Sequence, residues 1–103
     1  MFCAGYRFRV KPGCEDQLRD AWCELTELIH EHCGSLGSRL HVSSAGEYIA
    51  YAQWPRREMW ENPAALPKAA IPVRERMLTA CESIDTLYEL AVTDDLLKPQ
   101  TTC

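Results

Sequence analysis

Two tryptophans, Trp54 and Trp60, flank a proline where an apolar run ends and a charged segment begins. The run from Tyr48 to Trp54 has the composition of a β-strand, and Pro55 cannot continue a central strand because it lacks a backbone N–H. Pro55 does suit the first turn of a helix. Both indoles are therefore expected beside a strand-to-helix connection, where aromatic walls of small-ligand sites are commonly built. The alternative for both residues is packing in the core.

The histidines and cysteines do not have the spacing of a metal site. His30 and His32 lie two positions apart, and on a helix such side chains project about 200° from each other, so they do not share one ion. His41 falls on a separate predicted strand and is the one histidine that could act as a general base, if its strand face is inside. The six cysteines contain no Cys-x-x-Cys pair. We therefore expect reduced thiols that pack as small apolar side chains.

Composition and charge limit the class of protein. The chain has 103 residues, a net charge of −4, 47% hydrophobic residues and 25% charged residues. These values are typical of one soluble globular domain and give no basic footprint for nucleic acid. No apolar run has the length of a membrane span, and Arg7 and Arg9 interrupt the first hydrophobic stretch, unlike a signal peptide. We expect a cytoplasmic protein with neither a nucleic-acid nor a membrane partner.

Hydrophobic periodicity predicts four strands and two main helices. The predicted strands cover residues 2–10, 36–43, 47–54 and 84–92. An amphipathic helix is predicted from residue 14 to a stop at Gly34, and its Trp22 is assigned to the core. A short helix is predicted over 56–62 and a second helical region over 64–81. Only 73–81 of that region is a secure helix, because Pro67 and Pro72 interrupt its start.

Alternation within the strands predicts which side chains share a face. Tyr48, Ala50, Ala52 and Trp54 lie on one face of their strand, and the two small residues leave room there for a ligand or a neighbouring side chain. In the last strand, the side chains predicted to share a face are Ile84, Thr86, Tyr88, Leu90 and Val92.

The element order β-α-β-β-α-β predicts a ferredoxin-like α+β protomer with a four-stranded antiparallel sheet. In such a unit the helices cover one face of the sheet and leave the other bare. The strands carry too much apolar surface for one open sheet, so we expect a homodimer in which two sheets pack face to face. The domain is predicted over residues 1–94 and a tail over 95–103.

Four segments together resemble the antibiotic biosynthesis monooxygenase domain. They are Val10-Lys-Pro-Gly13, the helical stripe with Trp22, Gly34 to His41, and Tyr51-Ala-Gln-Trp54. They occur in that family's order and spacing, and the likeness extends from about residue 2 to residue 92. The resemblance implies a dimeric α+β barrel whose best-known members oxidise polycyclic aromatic compounds with molecular oxygen, without metal, flavin or haem. It therefore implies no cofactor and a small aromatic or polyphenolic substrate.

The resemblance also implies roles for single residues. Trp54 matches a pocket tryptophan that orients the substrate, and Trp60 lies where such members place a hydrogen-bonding tyrosine. Arg74 or Arg76 falls near a helical arginine that could hold a substrate oxyanion. The segment with the two tryptophans is thus predicted as the wall of a pocket in the dimeric barrel. The predicted catalytic residues are Trp54, Arg74 and Arg76, and the predicted substrate-binding residues are Ala50, Trp54, Trp60 and His41.

Three alternatives remain open at the level of sequence. Ala50 stands where catalytic members have an asparagine, which favours a non-catalytic dimeric small-molecule-binding or accessory protein of the same fold. Haem-degrading relatives hold iron through a histidine on the later helix, and residues 64–81 contain none. An isomerase on the same barrel would need His41 as a base inside the cavity.

Overall fold

The protein, described here for residues 1–98 by a computed structural model, is one antiparallel sheet with helices packed on one of its faces. Residues 99–103 of the predicted tail lie outside the described part. The elements follow the order β1 (Phe2–Val10), α1 (Glu15–Cys33), β2 (Gly37–Val42), β3 (Tyr48–Trp54), α2 (Arg57–Glu61), α3 (Ala70–Thr79) and β4 (Cys81–Ala91).

The sheet has the strand order β2-β3-β1-β4, and every neighbouring pair is antiparallel. The β-α-β-β-α-β order and this sheet confirm the ferredoxin-like α+β fold predicted from the sequence. Strand β1 lies between β3 and β4, so its backbone is paired on both edges. Its residues Phe2, Ala4 and Phe8 are buried on the face that the helices cover. The core therefore lies between this face and helices α1 and α3.

Helix α1 matches its predicted bounds because both of its ends are encoded locally. Glu15 and Asp16 lie in the first turn, where the helix dipole favours negative charge. Gly34 follows the last helical residue with φ of 79°, a left-handed conformation that costs glycine little and an L-residue with a side chain more. Leu18, Ala21 and Leu25 are buried toward the sheet and α3.

Helix α3 corrects two predicted boundaries. The helix begins at Ala70, with Pro72 inside its first turn. Proline is tolerated there because the first backbone N–H groups of a helix have no intrahelical acceptor to lose. The prediction of helix through residue 81 was wrong, since Cys81 is the first residue of β4 and pairs with Val10. The long ladder between β1 and β4 thus overrides helical continuation at Cys81.

The predicted face of the last strand was also wrong at one end. The register between β1 and β4 shifts between Gly5 and Tyr6, so Tyr6 pairs with Thr86 while Gly5 pairs with Tyr88. Leu87 is the extra residue of this β-bulge, and a bulge moves the following side chains to the opposite face. Ile84 consequently faces the helices, whereas Tyr88 and Leu90 lie on the bare face. Val92 lies beyond the end of β4.

Gly5 explains why the bulge can form at that position. A Cβ placed on Gly5 would stand 3.1 Å from Cδ2 of Tyr88. Glycine therefore lets the Tyr88 ring lie close against the backbone of β1. In the described residues 1–98, no helix is both long and apolar enough to cross a bilayer.

Candidate functional site

A cavity of about 390 Å³ lies between the sheet and helices α1 and α3. Its size is that of a small-molecule site. It lies on the helix-covered face of the sheet, not on the bare face. The strands contribute Tyr6, Phe8, Ser38, Ala50, Ala52, Trp54 and Ile84, the helices contribute Trp22, Leu25, Thr26, Ile29, Arg74, Met77 and Leu78, and Ser35 lies in the connection before β2.

Trp54 forms part of the wall at the end of β3. It is 6% exposed and packs in a cluster with Phe2, Ala4 and Ala52. Its Nε1 is buried and has no hydrogen-bond acceptor among residues 1–98. A buried donor without a partner is uncommon and calls for an explanation, such as a ligand or water that supplies the acceptor. The indole is thus both an apolar wall and a source of one unused N–H group.

The two small residues of β3 create the space in front of Trp54. Ala50 and Ala52 are 2% and 9% exposed and share a sheet face with Trp54. Both line the cavity. Any larger side chain at these positions would project into the volume that a ligand would occupy. Ala50 also brings no polar group to this wall.

Arg74 and Arg76 take different positions, although only one residue separates them. Arg74 is an exposed residue of α3 that lines the cavity. Among the lining residues found within residues 1–98, it is the one with a charged side chain. Leu78, one turn later, is also exposed and lines the cavity, so this part of α3 borders the opening. Arg76 projects away and its Nη2 donates to Oε2 of Glu24 over 2.7 Å. Arg76 does not line the cavity.

Trp60 lies behind the cavity lining and does not face the cavity directly. Its ring packs against Phe2, with centroids 5.1 Å apart, and its Nε1 donates to the hydroxyl of Tyr6 over 2.6 Å. Tyr6 does line the cavity. Burial raises the pKa of the Tyr6 phenol, the Trp60 hydrogen bond lowers it, and the charge of Glu89 raises it further. The net pKa lies above the ordinary value of tyrosine, so Tyr6 is neutral at physiological pH.

His41 does not line the cavity. It is exposed on the edge strand β2, pairs with Ile49, and its Nδ1 is 2.9 Å from the Ile49 carbonyl oxygen. His41 therefore belongs to the bare face of the sheet. No histidine, aspartate or glutamate lines the cavity within the described chain.

Trp22 and Tyr6 are among the lining residues that the sequence did not single out as site residues. Trp22, which was assigned to the core, is half-buried and faces the cavity from α1. Tyr6 sits directly opposite Ala50 in the register of β1 and β3. Tyr6 shares a face of β1 with Phe2, Ala4 and Phe8, which alternation along the strand marks as apolar, but its partner Ala50 on β3 was needed to show that space lies above it.

The two serines at the cavity donate their hydroxyl protons to backbone carbonyl groups. Ser35 Oγ donates to the Gln53 carbonyl oxygen over 3.3 Å, and Ser38 Oγ donates to that of Tyr51 over 2.9 Å. In residues 1–98, no three histidine, cysteine, aspartate or glutamate side chains lie close enough together to hold a metal ion. The five cysteines of that range are free thiols.

Comparison with solved structures shows the same fold over almost the whole chain. SnoaB from Streptomyces nogalater, described as a cofactor-independent oxygenase, is 11% identical, with a TM-score of 0.73 and coverage of 94% of this chain and 97% of SnoaB. Rv0793 from Mycobacterium tuberculosis is 15% identical, with a TM-score of 0.70 and coverage of 93% and 98%.

A third structure contains a bound ligand. The monooxygenase from the ActVA-Orf6 gene of Streptomyces coelicolor, solved with nanaomycin D, is 22% identical. Its TM-score is 0.67, with coverage of 95% of this chain and 92% of the other. Sequence comparison with curated proteins gives no match.

Residues 1–68 match the family described as antibiotic biosynthesis monooxygenase. This match includes β1 to α2, and thus Trp54, Ala50 and the strand partners that form one wall of the cavity. The resemblance seen in the sequence is therefore confirmed, and the chain belongs to the antibiotic biosynthesis monooxygenase family.

Proposed function

We propose that this protein is a monooxygenase that oxidises a small aromatic or polyphenolic substrate with molecular oxygen and uses no cofactor. Family membership and the oxygenase structures of the same fold support a monooxygenase in general. The observation that carries the proposal is an apolar cavity that is lined by the Trp54 ring and bordered at its opening by the cation of Arg74. The ring offers apolar surface to an aromatic ligand, and the guanidinium suits a ligand that presents an oxygen acceptor.

The cavity matches the requirements of such an oxidation. Trp54, Trp22 and Phe8 offer aromatic and apolar surface to a flat ring system. An enol or phenol bound there reacts with oxygen more readily as its anion, and Arg74 would stabilise that negative charge at the cavity opening.

The proposed reaction needs no external reductant. A substrate methylene reacts with O2 to give a carbonyl group and water, so one oxygen atom enters the substrate and the other leaves as water. The two hydrogen atoms of the methylene go to that water, and the substrate supplies all the electrons. The residues of this chain would bind the substrate, orient it and stabilise its anion.

Oxygen uptake tests this proposal. With 1,8-dihydroxyanthrone, an enolisable tricyclic phenol, we expect uptake faster than in a protein-free control and one labelled oxygen atom per product molecule under ¹⁸O₂. Arg74→Gln should reduce the rate about tenfold, the value of one charge-assisted hydrogen bond. Arg76→Gln is the matched control and should leave the rate unchanged. Binding of this and related phenols without oxygen uptake would refute the monooxygenase proposal.

A specific observation favours a second function, a non-catalytic small-molecule-binding protein. Ala50 gives β3 no polar side chain toward the cavity, and the described lining contains no carboxylate or histidine that could remove a substrate proton. A binding protein needs the cavity and its donors but not a base. The same experiment separates the two functions, since this one predicts ligand binding, weakened by Trp54→Phe, with no oxygen uptake.

We also propose that the bare face of the sheet packs against a second copy of the chain. Tyr88 and Leu90 on β4 are 59% and 47% exposed, and Ile49 and Tyr51 on β3 add apolar surface to the same face. An exposed apolar face of this kind usually marks an interface. Sedimentation equilibrium of the wild type should give twice the mass of one chain. The double variant Tyr88→Lys, Leu90→Lys should give the mass of a single chain. A monomeric wild type contradicts the proposed homodimer.

A further inference from the structure

Tyr6 is a polar residue of the cavity that the sequence did not assign to the site. It lies on the helix-covered face of β1, between Ala50 of β3 and Thr86 of β4 in the two registers. Because both neighbours are small, neither side chain covers the phenol from the adjacent strands. The ring lines the cavity and is half-buried.

The bond from Trp60 fixes the role of the Tyr6 oxygen. An indole N–H can only donate, so in the 2.6 Å contact the Tyr6 oxygen accepts. A phenol hydroxyl can accept and donate at the same time, and no acceptor for the Tyr6 proton is found among residues 1–98. The Trp60 bond therefore fixes the position of the Tyr6 oxygen and leaves its O–H proton available to donate to a ligand.

Trp60 is itself held by packing. Its ring stacks in a tilted arrangement on Phe2, and it borders the cluster that contains Trp54 and Cys33. Trp60 of helix α2 does not line the cavity, but its hydrogen bond links it to Tyr6, which does. A donor whose position is set in this way loses little rotational freedom when it binds an acceptor.

We propose that Tyr6, positioned by Trp60, donates a hydrogen bond to a carbonyl or phenol oxygen of the ligand in this cavity. This proposal rests on the ligand class of the proposed function but not on the oxidation. Arg74 offers donors from α3, and Tyr6 adds one from β1. A ligand with oxygen atoms on more than one edge of a fused ring system would satisfy both. Tyr6 would therefore select oxygenated rings over bare aromatic hydrocarbons.

The test compares two probes that differ in their acceptors. 1,8-Dihydroxyanthraquinone carries carbonyl and phenol oxygens, whereas 1-methylnaphthalene has none. The neutral hydrogen bond predicts that Tyr6→Phe weakens binding of the quinone about five- to tenfold and leaves binding of the hydrocarbon unchanged. Tyr48→Phe is the matched control, because Tyr48 lies on the same sheet face but does not line the cavity. It should change neither affinity.

Trp60→Phe tests the positioning role. We expect a two- to fivefold loss of quinone affinity in the single variant and no additional loss when it is combined with Tyr6→Phe, since the two side chains act as one unit. Thermal unfolding of each variant shows whether it is folded at the temperature of the binding measurement.

Three results would overturn the assignment of Tyr6. They are an equal loss for both probes, no loss for the quinone, and no quinone binding by the wild-type protein. A selective loss in Tyr6→Phe together with an absence of oxygen uptake would instead support Tyr6 and reject the oxidation.

Discussion

Replacement of Trp54 by phenylalanine tests whether the indole is kept for a ligand or for the core. Trp54 is 6% exposed, so nearly all of its side chain is packed. Phenylalanine retains an aromatic ring on the same strand face but removes the N–H group and two ring carbons. The structure allows both effects on stability to be estimated, and they have opposite signs.

The loss of two buried carbons costs about 1.6 kcal/mol at about 0.8 kcal/mol each. Removal of a buried donor that has no acceptor returns about 1–3 kcal/mol, because its desolvation penalty disappears. The free energy of unfolding of Trp54→Phe should therefore stay within about 1.5 kcal/mol of the wild type. Affinity for an aromatic ligand should fall about three- to tenfold, since the ligand loses part of the packed indole surface.

Urea unfolding measures the first quantity, and fluorescence or calorimetric titration with 1,8-dihydroxyanthraquinone measures the second. Leu28→Ala offers a comparison away from the cavity wall, because Leu28 is half-buried beside α3 and does not line the cavity. It should lower stability without changing affinity. If Trp54→Phe loses more than about 3 kcal/mol of stability, the indole N–H has an acceptor in the free protein and the reasoning fails. Unchanged quinone affinity would refute it equally.

Three further predictions concern stability. Gly34→Ala should lower the free energy of unfolding by about 1–2 kcal/mol, because a residue with a side chain is strained at φ of 79°. A Cβ at this position would also stand 2.5 Å from Cε of Met59. Urea unfolding measures the loss. Arg76→Ala should cost less than about 1 kcal/mol, since its ion pair with Glu24 is between side chains about half exposed, and added salt should reduce even this difference. The pKa of Tyr6 is raised in the folded chain, so the folded state holds its proton more tightly than the unfolded state. The contribution of Tyr6 to the free energy of unfolding is therefore fully present below about pH 10 and is lost as the pH rises through the pKa of the folded state. Urea unfolding at a series of alkaline pH values should show this loss in the wild type and not in Tyr6→Phe.

Much of the fold could be predicted because its signals are local. The alternation of β1 and the stripe of α1, ended by Gly34, depend on residues close in sequence, and the structure agrees with both sets of bounds within one residue. The end of α3 and the faces of β4 could not be predicted in the same way. Cys81 is helical by local pattern but pairs with Val10, and the bulge at Leu87 depends on how Gly5 meets Tyr88 across the sheet.

The candidate site likewise combines features that the sequence predicts locally with features that depend on contacts between distant residues. Sequence alone determined that Trp54 ends a strand beside two alanines, and that Arg74 or Arg76 follows on a helix. Tertiary structure decided that Arg74 borders the cavity while Arg76 pairs with Glu24, because the rotation of α3 against α1 sets which side of the helix faces inward. It also brought Tyr6 and Trp60 together from positions 54 residues apart. A sequence specifies which groups are present, but contacts between distant strands and helices decide which of them meet at one cavity.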